Sequence, residues 1–147
     1  MKKCAILSMD SLADFEAYDC LIDEPMLASG WQTELVSWRC ANVNWSDYEA
    51  VIIRSPWDYQ DDMESFLSVL STIEQSNARL ENSLNVVEWN INKSYLKSLA
   101  ADSVTIVPTL WPETFDAKNI VGYFSHFATE QIVLKPRVSA NADNTFG

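Results

Sequence analysis

Short apolar runs that stop abruptly at polar loops constrain this chain more than any other feature. The clearest is AVIIR at 50–54, followed at once by Ser55-Pro56-Trp57-Asp58-Tyr59. A continuous, non-alternating run of this length, bounded by turn residues, fits a strand covered on both faces of a parallel sheet. KCAILSM at 3–9 has the same form, and Asp10 to Phe15 follows it as a loop. Tyr18, Leu21, Ile22, Met26 and Leu27 recur at helical spacing, which predicts a helix over about 16–29, bent or split at Pro25 and stopped at Gly30. A second strand is expected at 33–38. After 50–54, Asp61 or Asp62 can start a helix whose apolar face is Phe66, Leu67, Leu70 and Ile73, ending near Gln75. A brief strand is expected at 85–87. Strand, helix and strand in alternation predict an α/β fold built on an open, mostly parallel sheet.

The later residues read differently. Residues 1–92 carry 16 acids and 5 bases, whereas 93–147 carry 5 of each, so the whole formal charge of −11 belongs to the first part. A boundary is expected near 86–92. Beyond it, Asn90 or Asn92 can cap a helix over 93–101, 104–107 is extended up to Pro108-Thr109, 117–127 is helical, and 131–134 is a strand leading into Lys135-Pro136.

Charge and composition exclude several functions. A chain of net charge −11 lacks the basic footprint of a general nucleic-acid binder. No apolar run is long enough for a membrane span. Cys4, Cys20 and Cys40 are widely spaced and form neither a disulfide framework nor a metal pattern, and a cytoplasmic setting with reduced thiols is expected. Three glycines in total leave no Gly-x-Gly-x-x-Gly fingerprint and no Walker A loop. His126 is the single histidine, and no zinc set, Ser-His-Asp triad or Cys-His pair can be assembled. No catalytic residue and no metal ligand is therefore assigned.

Four charged positions remain as candidates, each with a competing structural reading. Lys93 opens an expected helix, where a cation opposes the helix dipole unless an anion binds. Lys135 ends an apolar strand and can reach a phosphate as a point charge. Both could equally be ordinary surface lysines. Arg54 closes its strand at the carboxyl edge, where ligands of open α/β sheets bind, and its fork suits a carboxylate or a phosphate. Asp58 could instead pair with it as a structural salt bridge. Asp10 follows the first strand and either faces the same crevice or serves as a cap or solvated loop carboxylate.

Taken together, Trp45-Ser46-Asp47-Tyr48, VIIRSPWDY at 51–59, VVEWNINKSYLKSL at 86–99, Val107-Pro108-Thr109 and VLKPRVSANADNTF at 133–146 resemble ATP-grasp proteins of the glutathione-synthetase-like, RimK-like branch that includes the cycloserine-forming ligase. The resemblance implies a Rossmann-like pre-ATP-grasp domain over 1–90, then the start of an ATP-grasp α+β nucleotide-binding domain over 91–147. It implies an ATP- and magnesium-dependent ligase that joins a carboxylate to an amine through an acyl phosphate. Lys93 and Lys135 fall where phosphate-contacting lysines are expected, and Ser139 to Thr145 falls at the phosphate-covering loop. The Arg54 to Asp58 loop falls where the resemblance places the acceptor substrate, and Arg54 or Arg137 could clamp a substrate carboxylate. The partner implied is a small carboxylate or amino-acid-like molecule, and no oligomeric state is implied.

Two departures stand out. The covering loop is usually rich in glycine, yet 139–145 has none. The family's adenine-binding strand, magnesium-binding residues and late catalytic arginine lie beyond the pattern matched here, so the expectation is an N-terminal portion that is inactive alone. The alternative is a non-catalytic α/β module that binds a metabolite or a partner chain.

Overall fold

The computed structural model describes residues 1–147. They form two compact units, Met1–Trp89 and Asn90–Gly147.

The first unit is an open parallel α/β sheet. Strand β1 (Lys2–Ser8) is followed by a 3-10 turn (Asp19–Ile22) and helix α1 (Asp23–Ala28), then β2 (Trp31–Ser37) and β3 (Ala50–Ser55). Helix α2 (Met63–Glu74), β4 (Arg79–Glu81) and α3 (Leu84–Asn90) complete it. The sheet order is β2-β1-β3-β4 and every pairing is parallel. The chain leaves β1 toward one side to make β2 and returns to the other side for β3. The β1/β3 junction is thus the switch point, where the loops after the two strands diverge.

The core explains the central strands. Cys4, Ala5, Leu7 and Val51 are fully buried, with Ile6 nearly so, and Leu70 and Ile73 of α2 are fully buried with them. Trp38, just after β2, meets Phe66 of α2 edge-on with ring centroids 5.4 Å apart. Each such aliphatic side chain contributes roughly 1.5–3 kcal/mol on burial. Helix α2 starts where Asp62 accepts a hydrogen bond from the Ser65 amide, as expected of an N-cap.

Two expectations in this unit need correction. A helix through 16–29 would require an amide hydrogen that Pro25 lacks. The chain instead makes a 3-10 turn and starts α1 at Asp23, which places Pro25 in the first turn where no donor is needed. Tyr18, Leu21 and Leu27, expected to face inward, are more than half exposed. The brief strand expected at 85–87 is helical, within α3. The fourth strand lies earlier, where Ala50, Val51 and Ile52 of β3 pair with Arg79, Leu80 and Glu81. Leu80 is the buried residue of that short strand, and a single leucine between two charges is a weak strand signal.

The second unit contains α4 (Tyr95–Ala101) and α5 (Ile120–Phe127), the latter entered through a 3-10 turn at Ala117–Asn119. None of its residues is classed as buried. Helix α4 begins two residues after Lys93, so Lys93 sits in the preceding turn and does not open the helix. There the Asn92 side chain accepts from the Ser94 amide at 3.0 Å. Neither 104–107 nor 131–134 is a regular strand. Leu134 alone makes an antiparallel bridge, with Phe146, because no other extended segment of this unit offers it a row of partners.

Candidate functional site

Two groups of candidate residues emerge, one in each unit. In the first unit they cluster at the carboxyl ends of the strands. Asp10 turns toward β2, where Ser37 Oγ donates to its Oδ1, and away from the β1/β3 crevice. It lines a shallow cleft of about 580 Å³ together with Glu34, Ser37, Asp47 and Tyr48. Burial, followed by the hydrogen bond to Glu34, pushes the Tyr48 hydroxyl up to about 12.

Arg54 and Asp58 do not pair with each other. Asp58 is held by the segment after β2: Trp38 Nε1 donates to its Oδ1 at 2.7 Å and Arg39 Nε to its Oδ2 at 2.8 Å. Arg39 stacks over the Trp38 ring, 4.0 Å from its centroid, and its pKa is raised chiefly by the Asp58 hydrogen bond. Both Asp58 oxygens are therefore engaged in fastening the Ser55–Asp58 loop, which accounts for Asp58 as a structural anchor. Arg54 pairs instead with Asp19, whose Oδ1 lies 3.0 Å from Arg54 Nε and whose Oδ2 accepts from Ser55 Oγ. Phe15 and Trp57 make a second link between the same two loops, with ring centroids 5.4 Å apart. Sequence reasoning missed Asp19. Its only signal was an acid beside an apolar helical pattern, and its partners lie 35 and 36 residues away.

In the second unit, Lys93, Arg137 and Ser139 come together, and Lys93 feels the charge of Lys135. The Lys93 amide donates to the Arg137 carbonyl at 2.8 Å. Lys93 Nζ donates to Ser139 Oγ at 2.6 Å and lies 3.4 Å from the Ser139 carbonyl oxygen. Burial, then the charge of Lys135, lowers the Lys93 pKa. Neither lysine forms an ion pair with a carboxylate. Two cations close enough to repel, and lacking an acid between them, form a donor set suited to an anion. Arg137 Nη2 donates to the Pro112 carbonyl at 3.0 Å, which ties it to its own unit. Thr145 makes no contact with this group: its amide donates to the Ala142 carbonyl of its own loop at 3.1 Å.

The segment between Lys135 and Thr145 is closed at its base. Leu134 and Phe146 exchange amide-to-carbonyl hydrogen bonds of 2.7 and 2.9 Å. Within it Asn141, Ala142 and Asn144 adopt left-handed backbone with φ of 51°, 61° and 51°. These are turns for which glycine is the usual choice, made here by two asparagines and an alanine. No group of three or more His, Cys, Asp or Glu is placed to hold a metal ion. The residues here do not fit a magnesium site. No helix is long and apolar enough to cross a membrane.

Comparison with known proteins gives this geometry its context. Residues 4–82 match the family described as D-cycloserine synthetase DcsG, N-terminal domain. The chain belongs to that family. It is 35% identical over 80 residues to the cycloserine biosynthesis protein DcsG of Streptomyces lavendulae, a match covering 54% of this chain and 26% of that protein. The crystal structure of D-cycloserine synthetase DcsG superposes with a TM-score of 0.82 at 23% identity, covering 97% of this chain and 49% of that one. The structure of the ATP-grasp ligase PsnB, complexed with minimal precursor, Mg and ADP, superposes with a TM-score of 0.51 at 18% identity, covering 98% of this chain and 56% of that one. The chain thus spans about half the length of either solved structure.

Proposed function

We propose that these residues supply the pre-ATP-grasp domain, 1–90, and the first part of the nucleotide-binding domain, 91–147, of an ATP-dependent carboxylate–amine ligase. The observation that carries this reading is the Lys93–Lys135 pair, two neighbouring cations without a carboxylate partner. ATP-grasp relatives use ATP and magnesium, and a polyphosphate is the anion that such a pair would meet.

In this scheme a substrate carboxylate oxygen attacks the γ-phosphorus of ATP, the bond to the β-phosphate oxygen breaks, and ADP leaves. An amine or similar nucleophile then attacks the acyl carbon and expels phosphate. Lys93 and Lys135 offset charge on the transferring phosphoryl group, where preorganised cations contribute most. Ser139, already bonded to Lys93, and the turn ending at Thr145 lie where a phosphate would be covered. Arg54 and Arg137 are the cations available for a carboxylate clamp. Arg54 is the better placed, since Arg137 already donates to Pro112. Asp10 is available to a substrate only on the β2 side, and Asp58 acts by holding the loop that follows Arg54.

The test is titration of Mg-ATP into a ligase of full family length that carries these 147 residues. Saturable binding is expected, and Lys135→Ala should weaken it about tenfold, the loss of one charge-assisted contact. Absence of saturable binding would overturn the ligase reading in favour of a non-catalytic module that recognises a metabolite or partner chain. The 147 residues alone are expected to bind Mg-ATP weakly. Tight stoichiometric binding by them would show that the later half is not needed for the site.

A further inference from the structure

The segments that follow β1 and β3 share an acid that the ligase chemistry above leaves unused. Asp19 has only 9% of its side chain exposed. A carboxylate that deep is costly unless it is both paired and hydrogen-bonded. Asp19 is both, through Arg54 Nε on one oxygen and Ser55 Oγ on the other. Its oxygens are spent inside the protein, so its own contacts are with the protein and not with a ligand.

Arg54 is the reverse case. Its Nε is committed to Asp19, while 46% of its side chain is exposed and no second ion pair engages it. Fixing Nε sets the plane of the guanidinium and leaves the edge formed by the two terminal amino groups. A planar fork of that kind accepts a carboxylate through two parallel hydrogen bonds, and orienting it beforehand reduces the entropy lost on binding. The location agrees: the pair lies at the switch point of the sheet, with the Phe15–Trp57 ring contact joining the same two loops.

We infer that Asp19 is a positioning residue that, with Ser55, locks Arg54 as a fork for the carboxylate of an amino-acid-like molecule. The need for such a substrate rests on the ligase reading. The choice of a carboxylate over a phosphate rests on charge. Residues 1–92 carry 16 acids and 5 bases, so a dianion meets stronger repulsion there than a zwitterion whose ammonium group is welcome.

The experiment is a titration of the isotope-labelled 147-residue chain with glycine, followed by NMR at the Arg54 Nε–H and at the Ser55, Trp57 and Asp58 amides. Methylamine, which lacks the carboxylate, and inorganic phosphate are the comparison probes. Glycine should give a saturable shift, methylamine none and phosphate a weaker one. Asp19→Asn should lower glycine affinity about tenfold, as expected when a charged orienting bond is lost. Arg54→Lys keeps the charge but loses the fork, and should abolish the response at the three amides. If Asp19→Asn fails to fold, Ser55→Ala removes one of the two anchors of Asp19 and should still weaken glycine measurably.

Unchanged glycine affinity in a folded Asp19→Asn or Ser55→Ala would reduce Asp19 to a structural ion pair and overturn the inference. A glycine-insensitive Arg54, or a stronger response to phosphate, would overturn the carboxylate assignment. Failure here is separable from failure of the ligase reading. Mg-ATP binding depends on Lys93 and Lys135 in the other unit, so either result can be lost while the other is kept.

Discussion

The two units use their apolar residues in opposite ways. In Met1–Trp89, β1, β3 and α2 enclose a core in which Cys4, Ala5, Leu7, Val51, Leu70 and Ile73 have no exposed surface. In Asn90–Gly147, Val107, Val121, Val133 and Phe146 are more than 60% exposed and nothing is buried. The first unit also carries the acidic excess and the second is electrically neutral. A four-stranded parallel sheet with a helix against it can satisfy itself within ninety residues or so. Two short helices and one closed loop cannot enclose a core of comparable depth. Stability in this molecule should therefore be concentrated in the first unit, whereas the cation pair proposed for phosphate sits in the second.

Matched truncations test that contrast most strongly. Ile73→Ala removes a fully buried side chain of α2 and should destabilise the first unit by about 3 kcal/mol. Phe124→Ala in α5 removes a larger but only partly buried ring and should cost only about 1 kcal/mol. Urea unfolding followed by circular dichroism measures both, and equal losses would break the contrast. A smaller effect is expected at the loop anchor. Asp58→Ala deprives Trp38 Nε1 and Arg39 Nε of their acceptor and should cost about 2 kcal/mol.

The smallest effect at neutral pH is at Tyr48, where the contrast becomes one of pH. Its hydroxyl is raised to about 12 in the fold, mainly by burial, from an ordinary value of 10.0. Above pH 10 the unfolded chain releases a proton that the folded chain keeps. The unfolded state then binds fewer protons, so stability falls as pH rises from about 10 through about 12. Tyr59 is raised by burial as well, so spectrophotometric titration should show late-ionising tyrosines, and Tyr48→Phe should remove part of that late step and reduce the alkaline loss. A late step of undiminished amplitude in Tyr48→Phe would assign all of it to other tyrosines such as Tyr59.

The parts of the fold that were legible in the sequence are those where one local signal sufficed. CAIL and AVII are continuous apolar runs, and each forms a central strand. The 3.6-residue spacing of Phe66, Leu70 and Ile73 places α2, and Asp62 caps it. Legibility failed where structure depends on distant partners. Arg79–Glu81 becomes a strand because β3 offers an edge, not because of its own residues. The run at 131–134 has strand-like residues and no such edge, and it remains irregular apart from Leu134. At the candidate site the lysines were picked out by their motifs, and their lack of acidic partners became visible only in three dimensions. Asp58 drew attention as a neighbour of Arg54, yet the groups that satisfy it are Trp38 and Arg39, around the carboxyl end of β2. Asp19 could not be paired with Arg54 by any local rule.

The absence of glycine from the closed loop has a consequence for rates as well as for shape. Asn141, Ala142 and Asn144 occupy a backbone region that glycine enters freely and that costs an alanine about 1 kcal/mol or more. A glycine loop has many shapes of similar energy and wanders among them, so a ligand must freeze it. This loop has fewer, and the reciprocal Leu134–Phe146 hydrogen bonds hold its ends in place. Such a loop is closer to a latch than to a rope: fewer shapes of similar energy are open to it, so less entropy is lost in any one of them. Ala142→Gly would widen that repertoire without touching a single side-chain contact, trading a defined closed shape for faster exchange.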